Sequence, residues 1–292
     1  MKFLLIGGKR AHKLVTQYIL EEAKLHFDTA TFVPLNKVRV VYDGKHTRLM
    51  HKNTDLGSYD ACYARLFPED FLFGETMLDI LSRENVYTPT NPEAFRIVNH
   101  KYYTIKYLAK TGVLTPATSL SIFPKTALRL TEQIGFPAVV KLVSGFGGRG
   151  VMLANGPAEF GPLTDTLELF KEAICTQEYI KNPGRDVRAY VFGDVVETVY
   201  RYGAEGDWRS NVSRGGRAEE FEAPKEYTEA AVKVARALGL DFCAVDMLES
   251  EKGPMVVEVN FTPGILWKFF GDKLAKMLVQ FIYKRTLETK TG

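Results

Sequence analysis

Three oxygen-bearing side chains near the end of the chain could hold a divalent cation. Glu258 and Asn260 lie two residues apart in an apolar stretch that follows a turn, and Asp246 lies in the apolar stretch before it. Residues two apart on a β-strand share one face, and a hairpin centred on Lys252 would place Asp246 opposite Glu258. Converging carboxylate and amide oxygens suit Mg²⁺ or Mn²⁺ better than zinc. Carboxylates on a solvent-facing sheet are the alternative, but Asp246 interrupts an otherwise apolar strand, which favours the metal site.

A glycine-rich segment in the middle of the chain could wrap phosphate oxygens. Its small residues are Ser144, Gly145, Gly147, Gly148 and Gly150. Backbone N–H groups in such a run are not shielded by side chains. The Walker pattern GxxxxGK[ST] is absent and a strand pattern follows, so P-loop binding does not apply. A flexible hairpin is the common alternative. Lys141 on the preceding apolar strand favours an anion site, because a buried cation without a partner is costly.

Two further polar segments could contribute to an anion site. The first begins with Gln177, Glu178, Tyr179 and Ile180 on a strand, followed after a turn by Asp186 and Arg188 on one strand face. Ordinary cross-strand ion pairing would also explain Asp186 and Arg188. The second is the arginine-rich segment 208–217, which contains Arg209, Ser210, Asn211 and Arg214. Such a loop can be a solvated turn, or it can bind carboxylate and phosphate groups bidentately.

The apolar periodicity predicts a mixed α/β fold that would position these side chains. We expect an N-terminal lobe over residues 1–92, a central lobe with the glycine-rich loop over 93–180, and a C-terminal lobe with the metal site over 181–292. The expected helices cover residues 11–26, 93–110, 224–238 and 271–286, and the expected strands include 3–6, 136–143 and 151–153. A basic hairpin over residues 38–50 is expected to turn on Asp43 and Gly44, and its charge is typical of a solvated sheet edge.

Composition limits the class of protein. The chain has 292 residues, 46% of them hydrophobic, and a net charge of +3 from 38 basic and 35 acidic side chains. This is enough apolar chain for real cores and too small a basic excess for a dedicated duplex-DNA binder, so we expect no nucleic-acid partner. No segment approaches the roughly 18 apolar residues of a membrane span, and we expect no membrane partner. Three widely spaced cysteines without a CxxC pair predict a reducing, cytoplasmic location.

The order and spacing of the polar segments resemble the ATP-grasp ligases of the RimK type. The resemblance covers about residues 90–270 and is carried by Lys101, Val-Val-Lys141 with the glycine loop, Gln-Glu178-Tyr-Ile, Gly-Arg-Asp186-Val-Arg188, Gly-Asp-Trp-Arg209-Ser-Asn211, Arg214-Gly-Gly, Asp246 and Glu258-Val-Asn260-x-x-Pro-Gly. It implies the ATP-grasp fold, with three lobes and an ATP molecule held between two antiparallel-sheet lobes.

The resemblance also implies a role for each segment. Lys101 and Lys141 would contact phosphates while the 144–150 loop closes over them, residues 177–180 would hold the adenine, and Asp186 would hold the ribose. The metal ligands of two Mg²⁺ or Mn²⁺ ions would be Asp246, Glu258 and Asn260. Near the phosphates or the acyl group would lie Arg209, Ser210 and Asn211. Arg188 would face the acyl phosphate and Arg214 the developing oxyanion.

The reaction that the resemblance implies is activation of a carboxylate by phosphoryl transfer from ATP. An amine then attacks the acyl phosphate, and an amide forms with release of ADP and phosphate. The amine would be L-glutamate or a related amino diacid, and the carboxylate would belong to a coenzyme, a protein C-terminus or a carrier protein. Two alternatives stay open: a LysX-like ligase that joins an amino acid such as aminoadipate to an acidic carrier protein, and a nucleotide-binding scaffold without turnover. A homo-oligomer, dimer or tetramer, is expected.

Overall fold

The computed structural model describes residues 1–8, 11–143, 145, 148–210 and 215–291. Within these ranges the chain forms a mixed α/β structure with four sheets, one parallel and three antiparallel. No helix in the same ranges has the length and apolarity that crossing a membrane requires.

A parallel sheet, the N-terminal sheet, organises the first part of the chain. Strand β1 (Lys2–Gly7) lies between β2 (Thr29–Pro34) and β6 (Ala61–Arg65). Helix α1 (Lys13–His26) connects β1 to β2, and helix α2 (Phe71–Arg83) follows β6. The centre of β1 has no exposed surface, as its run of apolar residues predicts.

The predicted basic hairpin forms a small separate sheet. It consists of β3 (Arg39–Tyr42), β4 (Thr47–His51) and β5 (Thr54–Asp55). The predicted turn is wrong by one residue: the Asp43 amide donates to the His46 carbonyl at 3.2 Å, so Gly44 and Lys45 make the turn. The reason is local, because the Asp43 carboxylate accepts from the Lys45 and His46 amides and thereby holds Asp43 at the turn's first position.

The predicted helix over residues 93–110 is wrong in that it is two helices, α3 (Pro92–Val98) and α4 (Lys101–Ala109). His100 between them is extended, with φ −115° and ψ 103°, and its ring accepts from the Tyr103 amide at 3.4 Å. This cap interrupts the helix although neither glycine nor proline is present. Lys101 is therefore the first residue of α4.

The central sheet is antiparallel, with the strand order β7-β10-β8-β9. Its strands are β7 (Thr118–Ser121), β8 (Ala138–Leu142), β9 (Val151–Ala154) and β10 (Ile174–Glu178). Helices α5 (Pro124–Ile134) and α6 (Pro157–Leu169) complete this part of the chain. The glycine-rich segment connects β8 to β9, as predicted, whereas Tyr179 and Ile180 lie just beyond the end of β10.

The C-terminal sheet is antiparallel, with the order β13-β12-β11-β14-β15. Its strands are β11 (Arg185–Phe192), β12 (Val195–Tyr202), β13 (Arg217–Glu220), β14 (Phe242–Ser250) and β15 (Gly253–Asn260). The helices are α7 (Lys225–Leu238), α8 (Trp267–Phe270) and α9 (Lys273–Thr291). The last helix begins two residues later and ends five residues later than the prediction.

The hydrophobic cores do not follow the sheets one by one. Two of them join the N-terminal and C-terminal sheets: α1 packs against α9, and the rings of Tyr63 and Phe242 meet edge to face at 5.9 Å. Helices α3 and α4 contribute to the first of these cores. The central sheet has a core of its own, made of Ala127, Val140, Ala154, Phe160, Leu167 and Ile174.

Candidate active site

A cleft with about 870 Å³ of empty space lies between the central and C-terminal sheets. Thirteen of the residues predicted for the site line it: Lys101, Lys141, Gly145, Gly148, Gln177, Glu178, Tyr179, Ile180, Asp186, Arg209, Ser210, Asp246 and Glu258. Three others, Gly150, Arg188 and Asn260, lie beside these residues without lining the cleft. Ser144, Gly147, Asn211 and Arg214 lie outside the described residues. The chain therefore brings together segments that are up to 157 residues apart in sequence.

One wall of the cleft is the end of β10. Gln177 is buried, and its amide nitrogen donates to the Thr118 hydroxyl at 3.1 Å. Glu178 is fixed to the preceding connection, because its backbone amide donates to the Ala117 carbonyl at 2.8 Å and its carboxylate accepts from the Ala117 amide at 3.1 Å. The ring of Tyr179 meets Trp208 edge to face at 6.1 Å. A flat, partly apolar surface next to backbone polar groups results.

Two lysines enter the cleft from different elements. Lys101, in the first turn of α4, donates to the Glu258 carboxylate at 3.2 Å. Lys141 on β8 donates to the Gln177 side-chain oxygen at 2.5 Å. Burial lowers the pKa of Lys141 to about 8, against the opposing influence of Glu258. Both cations are therefore held next to space in the cleft, as an anion site requires.

The floor of the cleft is a buried network of two carboxylates and two arginines. Asp186 on β11 and Arg201 on β12 are cross-strand partners joined by two hydrogen bonds of 2.7 and 2.5 Å. Arg188 and Asp246 are cross-strand partners on β11 and β14, joined by bonds of 2.7 and 2.8 Å. Arg201 also reaches Asp246 at 2.9 Å, so it connects the two pairs. Each of the four residues is at most 8% exposed.

The pKa values of the two carboxylates in this network shift in opposite directions. Burial raises the pKa of Asp186, although Arg201 and the Ser210 hydroxyl partly oppose it. Burial alone would also raise the pKa of Asp246, but Arg188 and Arg201 together hold it below its usual value. Asp246 is therefore the more firmly ionised of the two, as a metal ligand must be.

Arg201 is a residue that the sequence interpretation missed. It lies in β12 between two tyrosines and belongs to no recognised motif. The argument applied to Lys141, that a cation in a largely apolar strand needs an anion, would have selected it as well. Trp208 and Asn182, which also line the cleft, were likewise not selected.

The predicted metal donors lie side by side on the last hairpin. Asp246 pairs with Glu258, as predicted, and the Asn260 amide nitrogen donates to Asp246 at 3.3 Å. The prediction centred the hairpin on Lys252, whereas its turn consists of Glu251 and Lys252. A bulge that leaves Val257 unpaired shifts the register, so Asp246 still pairs with Glu258. The part of the chain that is described contains no cluster of three or more His, Cys, Asp or Glu side chains suited to a metal. Two carboxylates and an amide nevertheless fit Mg²⁺, which keeps several water or phosphate oxygens among its ligands.

Arg209 connects the C-terminal sheet's loop to the glycine-rich segment. Its guanidinium binds the Asp207 carboxylate through bonds of 2.8 and 3.0 Å and donates to the carbonyls of Gly148 and Val151 at 3.4 and 3.2 Å. Gly150 in the same segment has φ +70°, and an added Cβ would lie 2.5 Å from the Leu142 side chain. Glycine is therefore required at this position by both conformation and space.

Comparison with known proteins identifies the family of this chain. Residues 98–282 match the family model of the RimK-like ATP-grasp domain. A probable alpha-L-glutamate ligase from Vibrio cholerae serotype O1 is 31% identical over 291 residues, which cover 98% of this chain and 97% of the relative.

Two solved structures share the fold. The macrocyclase MdnC from Microcystis aeruginosa MRC, bound with the precursor peptide MdnA, superimposes with a TM-score of 0.74 at 16% identity and covers 97% of this chain and 100% of its own. D-alanine–D-alanine ligase from Bacillus anthracis, complexed with ATP, has a TM-score of 0.69 at 20% identity and covers 100% and 99%.

These findings confirm the predicted fold class and the predicted reaction class. The fold is the ATP-grasp fold, and the protein is an ATP-dependent carboxylate–amine ligase. Since the family model matches more than half of the chain and the relative matches almost all of it, the chain belongs to the family of RimK-like ATP-grasp ligases.

Proposed function

We propose that this ligase joins the amine of L-glutamate to a substrate carboxylate through an acyl phosphate. The observation that carries the proposal is the cleft in which Lys101 and Lys141 face the carboxylates of the last hairpin, because this arrangement can bind a triphosphate and a divalent ion together. The full-length likeness to a probable alpha-L-glutamate ligase supports glutamate as the amine.

We propose that ATP lies along the wall formed by residues 177–180. The two lysines would then attract the phosphates, with the glycine-rich loop over them. The Asp186 carboxylate already accepts two bonds from Arg201 and one from Ser210. A carboxylate has about four acceptor positions, so one remains for a ribose hydroxyl.

Asp246, Glu258 and Asn260 are proposed to hold two divalent ions, Mg²⁺ or Mn²⁺. Among the described residues, Asp246 Oδ1 accepts from Arg188 alone, whereas Oδ2 receives Arg188, Arg201 and Asn260. Oδ1 is therefore the oxygen with room for a cation. When bound, the ions would neutralise charge on the transferred phosphoryl group.

Three arginines are proposed to act on the reacting groups. Arg188 lies beside the metal donors and would attract the acyl phosphate, and Arg209 would position the loop over the phosphates. Arg214, which lies outside the described residues, would stabilise the oxyanion. We expect Arg214→Ala to keep nucleotide affinity while turnover falls about 100-fold or more, and unchanged steady-state turnover would remove Arg214 from this role.

The proposed substrate is tested by incubating the protein with ATP, Mg²⁺, L-glutamate and a pool of coenzymes, carrier peptides and peptide C-termini. Mass spectrometry should reveal one product that has gained a glutamyl unit, with ADP released in equal amount. Gain of another amino acid on an acidic carrier would support the LysX-like alternative. Nucleotide binding without acceptor-dependent ADP release would support a scaffold.

A matched pair of variants connects this activity to the cleft. Glu258→Gln should lower the rate of product formation by at least about 100-fold, whereas Glu251→Gln, in the exposed turn of the same hairpin, should leave it unchanged. Equal activity of the two variants would contradict the proposed metal site.

The remaining proposals concern the cellular location and the oligomeric state of the enzyme. We propose a cytoplasmic location, supported by three cysteines that are buried and free of disulfides. The expected homo-oligomer stays a prediction that light scattering of the purified chain tests.

A further inference from the structure

Arg65 is a buried arginine whose guanidinium is only partly satisfied by the described residues. It is the last residue of β6 and is 5% exposed. Within the part of the chain that the structure describes, two of its three guanidinium nitrogens, Nε and Nη1, are buried without a hydrogen-bond partner. Arg188 and Arg201 are equally buried, but each makes two hydrogen bonds to one carboxylate. Arg65 thus differs from Arg188 and Arg201, whose buried charges are paired with carboxylates.

The position of Arg65 places it where the N-terminal sheet meets the chain that leaves the metal site. Alternation along β6 puts Arg65 on the same face as Tyr63, and that face shares a core with Ile265. Leu66, the next residue, lines a small cavity together with Phe261. The segment 261–265, which directly follows β15, therefore passes the end of β6.

A second unsatisfied polar group lies in that same segment. The Thr262 hydroxyl is buried and has no hydrogen-bond partner among the residues that are described, and Thr262 follows the proposed metal ligand Asn260 by two residues. Isolated unsatisfied polar atoms are rare in folded proteins, and two at one junction indicate that a polar ligand completes it. The Arg65 guanidinium and the Thr262 hydroxyl thus belong to two segments that meet, and a guanidinium fork and a hydroxyl are both donors to a carboxylate, which accepts several hydrogen bonds in one plane.

We propose that Arg65 binds a carboxylate group of a substrate that the reaction does not consume. This inference rests on the proposed function, because an amino diacid such as L-glutamate brings carboxylates that survive amide formation, and so does an acceptor that ends in glutamate. The group that is bound is the same in both cases. The experiment decides whether the bound carboxylate belongs to the amine substrate or to the acceptor.

The key variant is Arg65→Met, which keeps an unbranched apolar stem and removes the guanidinium fork. Because the unpaired charge in the unliganded protein is unfavourable, the variant should unfold at the same or a higher temperature than the wild type. Calorimetry in the presence of ADP and Mg²⁺ should show a loss of at least about 30-fold in affinity for L-glutamate or for glutamylglutamate, the two probes. ADP affinity should not change. Arg65→Lys should be intermediate, since it keeps the charge but loses bidentate geometry.

Arg83→Met is the matched control, because Arg83 is an exposed arginine paired with Asp79 in the same part of the chain. It should bind both probes as the wild type does. Weakened binding of L-glutamate alone by Arg65→Met assigns Arg65 to the amine substrate, and weakened binding of glutamylglutamate alone assigns it to the acceptor.

Three results would overturn the proposal. These are undiminished binding of both probes by Arg65→Met, a lower unfolding temperature without a change in affinity, and absence of binding of either probe to the wild type. Each is separate from failure of the proposed function, which is measured as absence of a glutamylated product and of acceptor-dependent ADP release.

Discussion

The buried network beneath the cleft makes a quantitative prediction about Arg201. Replacing Arg201 by methionine leaves Asp246 paired with Arg188, whereas Asp186 would keep only the Ser210 hydroxyl among its described partners. Breaking a buried ion pair while one charge stays behind typically costs about 3–5 kcal/mol. We expect Arg201→Met to lower the free energy of unfolding by this amount.

The double variant Arg201→Met/Asp186→Asn separates the lost pair from the orphaned charge. Because the introduced amide would be neutral, the double variant should regain about half or more of the lost stability. Arg236→Met is the control: Arg236 pairs with Asp194 at 2.6 Å, but both side chains are mostly exposed. The same substitution there should cost about 1 kcal/mol or less.

Urea denaturation followed by tryptophan fluorescence measures these differences, with linear extrapolation to water. A cost at Arg201 no larger than the cost at Arg236 would refute the reasoning. So would a double variant that is as unstable as Arg201→Met, because the orphaned Asp186 carboxylate would then not be the source of the loss.

Three further predictions concern the cleft and its loop. Because the pKa of Lys141 is about 8 and bound phosphates favour its charged form, ADP affinity should fall about tenfold between pH 7 and pH 9. Calorimetry should show no such fall for Lys141→Arg, and an equal fall in that variant would contradict the assignment of Lys141 to phosphate binding. Glu258→Gln should slow turnover by at least about 100-fold. Because the variant also frees the ammonium of Lys101, it should bind ADP more tightly in EDTA, where no divalent ion is available. Weaker ADP binding in EDTA would contradict the role of Lys101 in binding phosphates. Gly150→Ala, at φ +70° and next to a leucine side chain, should lower the free energy of unfolding by about 1–2 kcal/mol. Gly161→Ala, in a helix with free space around it, should raise the free energy of unfolding by up to about 1 kcal/mol. Urea denaturation measures both changes, and equal effects would refute the steric argument.

The sequence predicted those parts of the site that depend on strand alternation. Asp246 pairs with Glu258 as expected, although the predicted centre of the hairpin was off by half a residue and a bulge at Val257 compensates. A bulge of this kind has no signature in the sequence, because any apolar residue can occupy it.

Features that depend on contacts between distant segments could not be predicted from the sequence. The break before Lys101 comes from a histidine cap rather than from glycine or proline. Arg201 carries no motif, and its importance comes from lying between carboxylates on two neighbouring strands. That two nitrogens of Arg65 find no partner among the described residues is a property of the packed chain alone, since the sequence does not show which charged groups come into contact.

The separation of the hydrophobic cores has a consequence for how the cleft exchanges its contents. The N-terminal and C-terminal sheets share two cores, so parting them would expose a large apolar surface, whereas the central sheet has a core of its own. We therefore expect the first and last thirds of the chain to behave as one rigid body. The central sheet would swing relative to that body on the connections at residues 110–117 and 179–184, and this motion would control the escape of ADP.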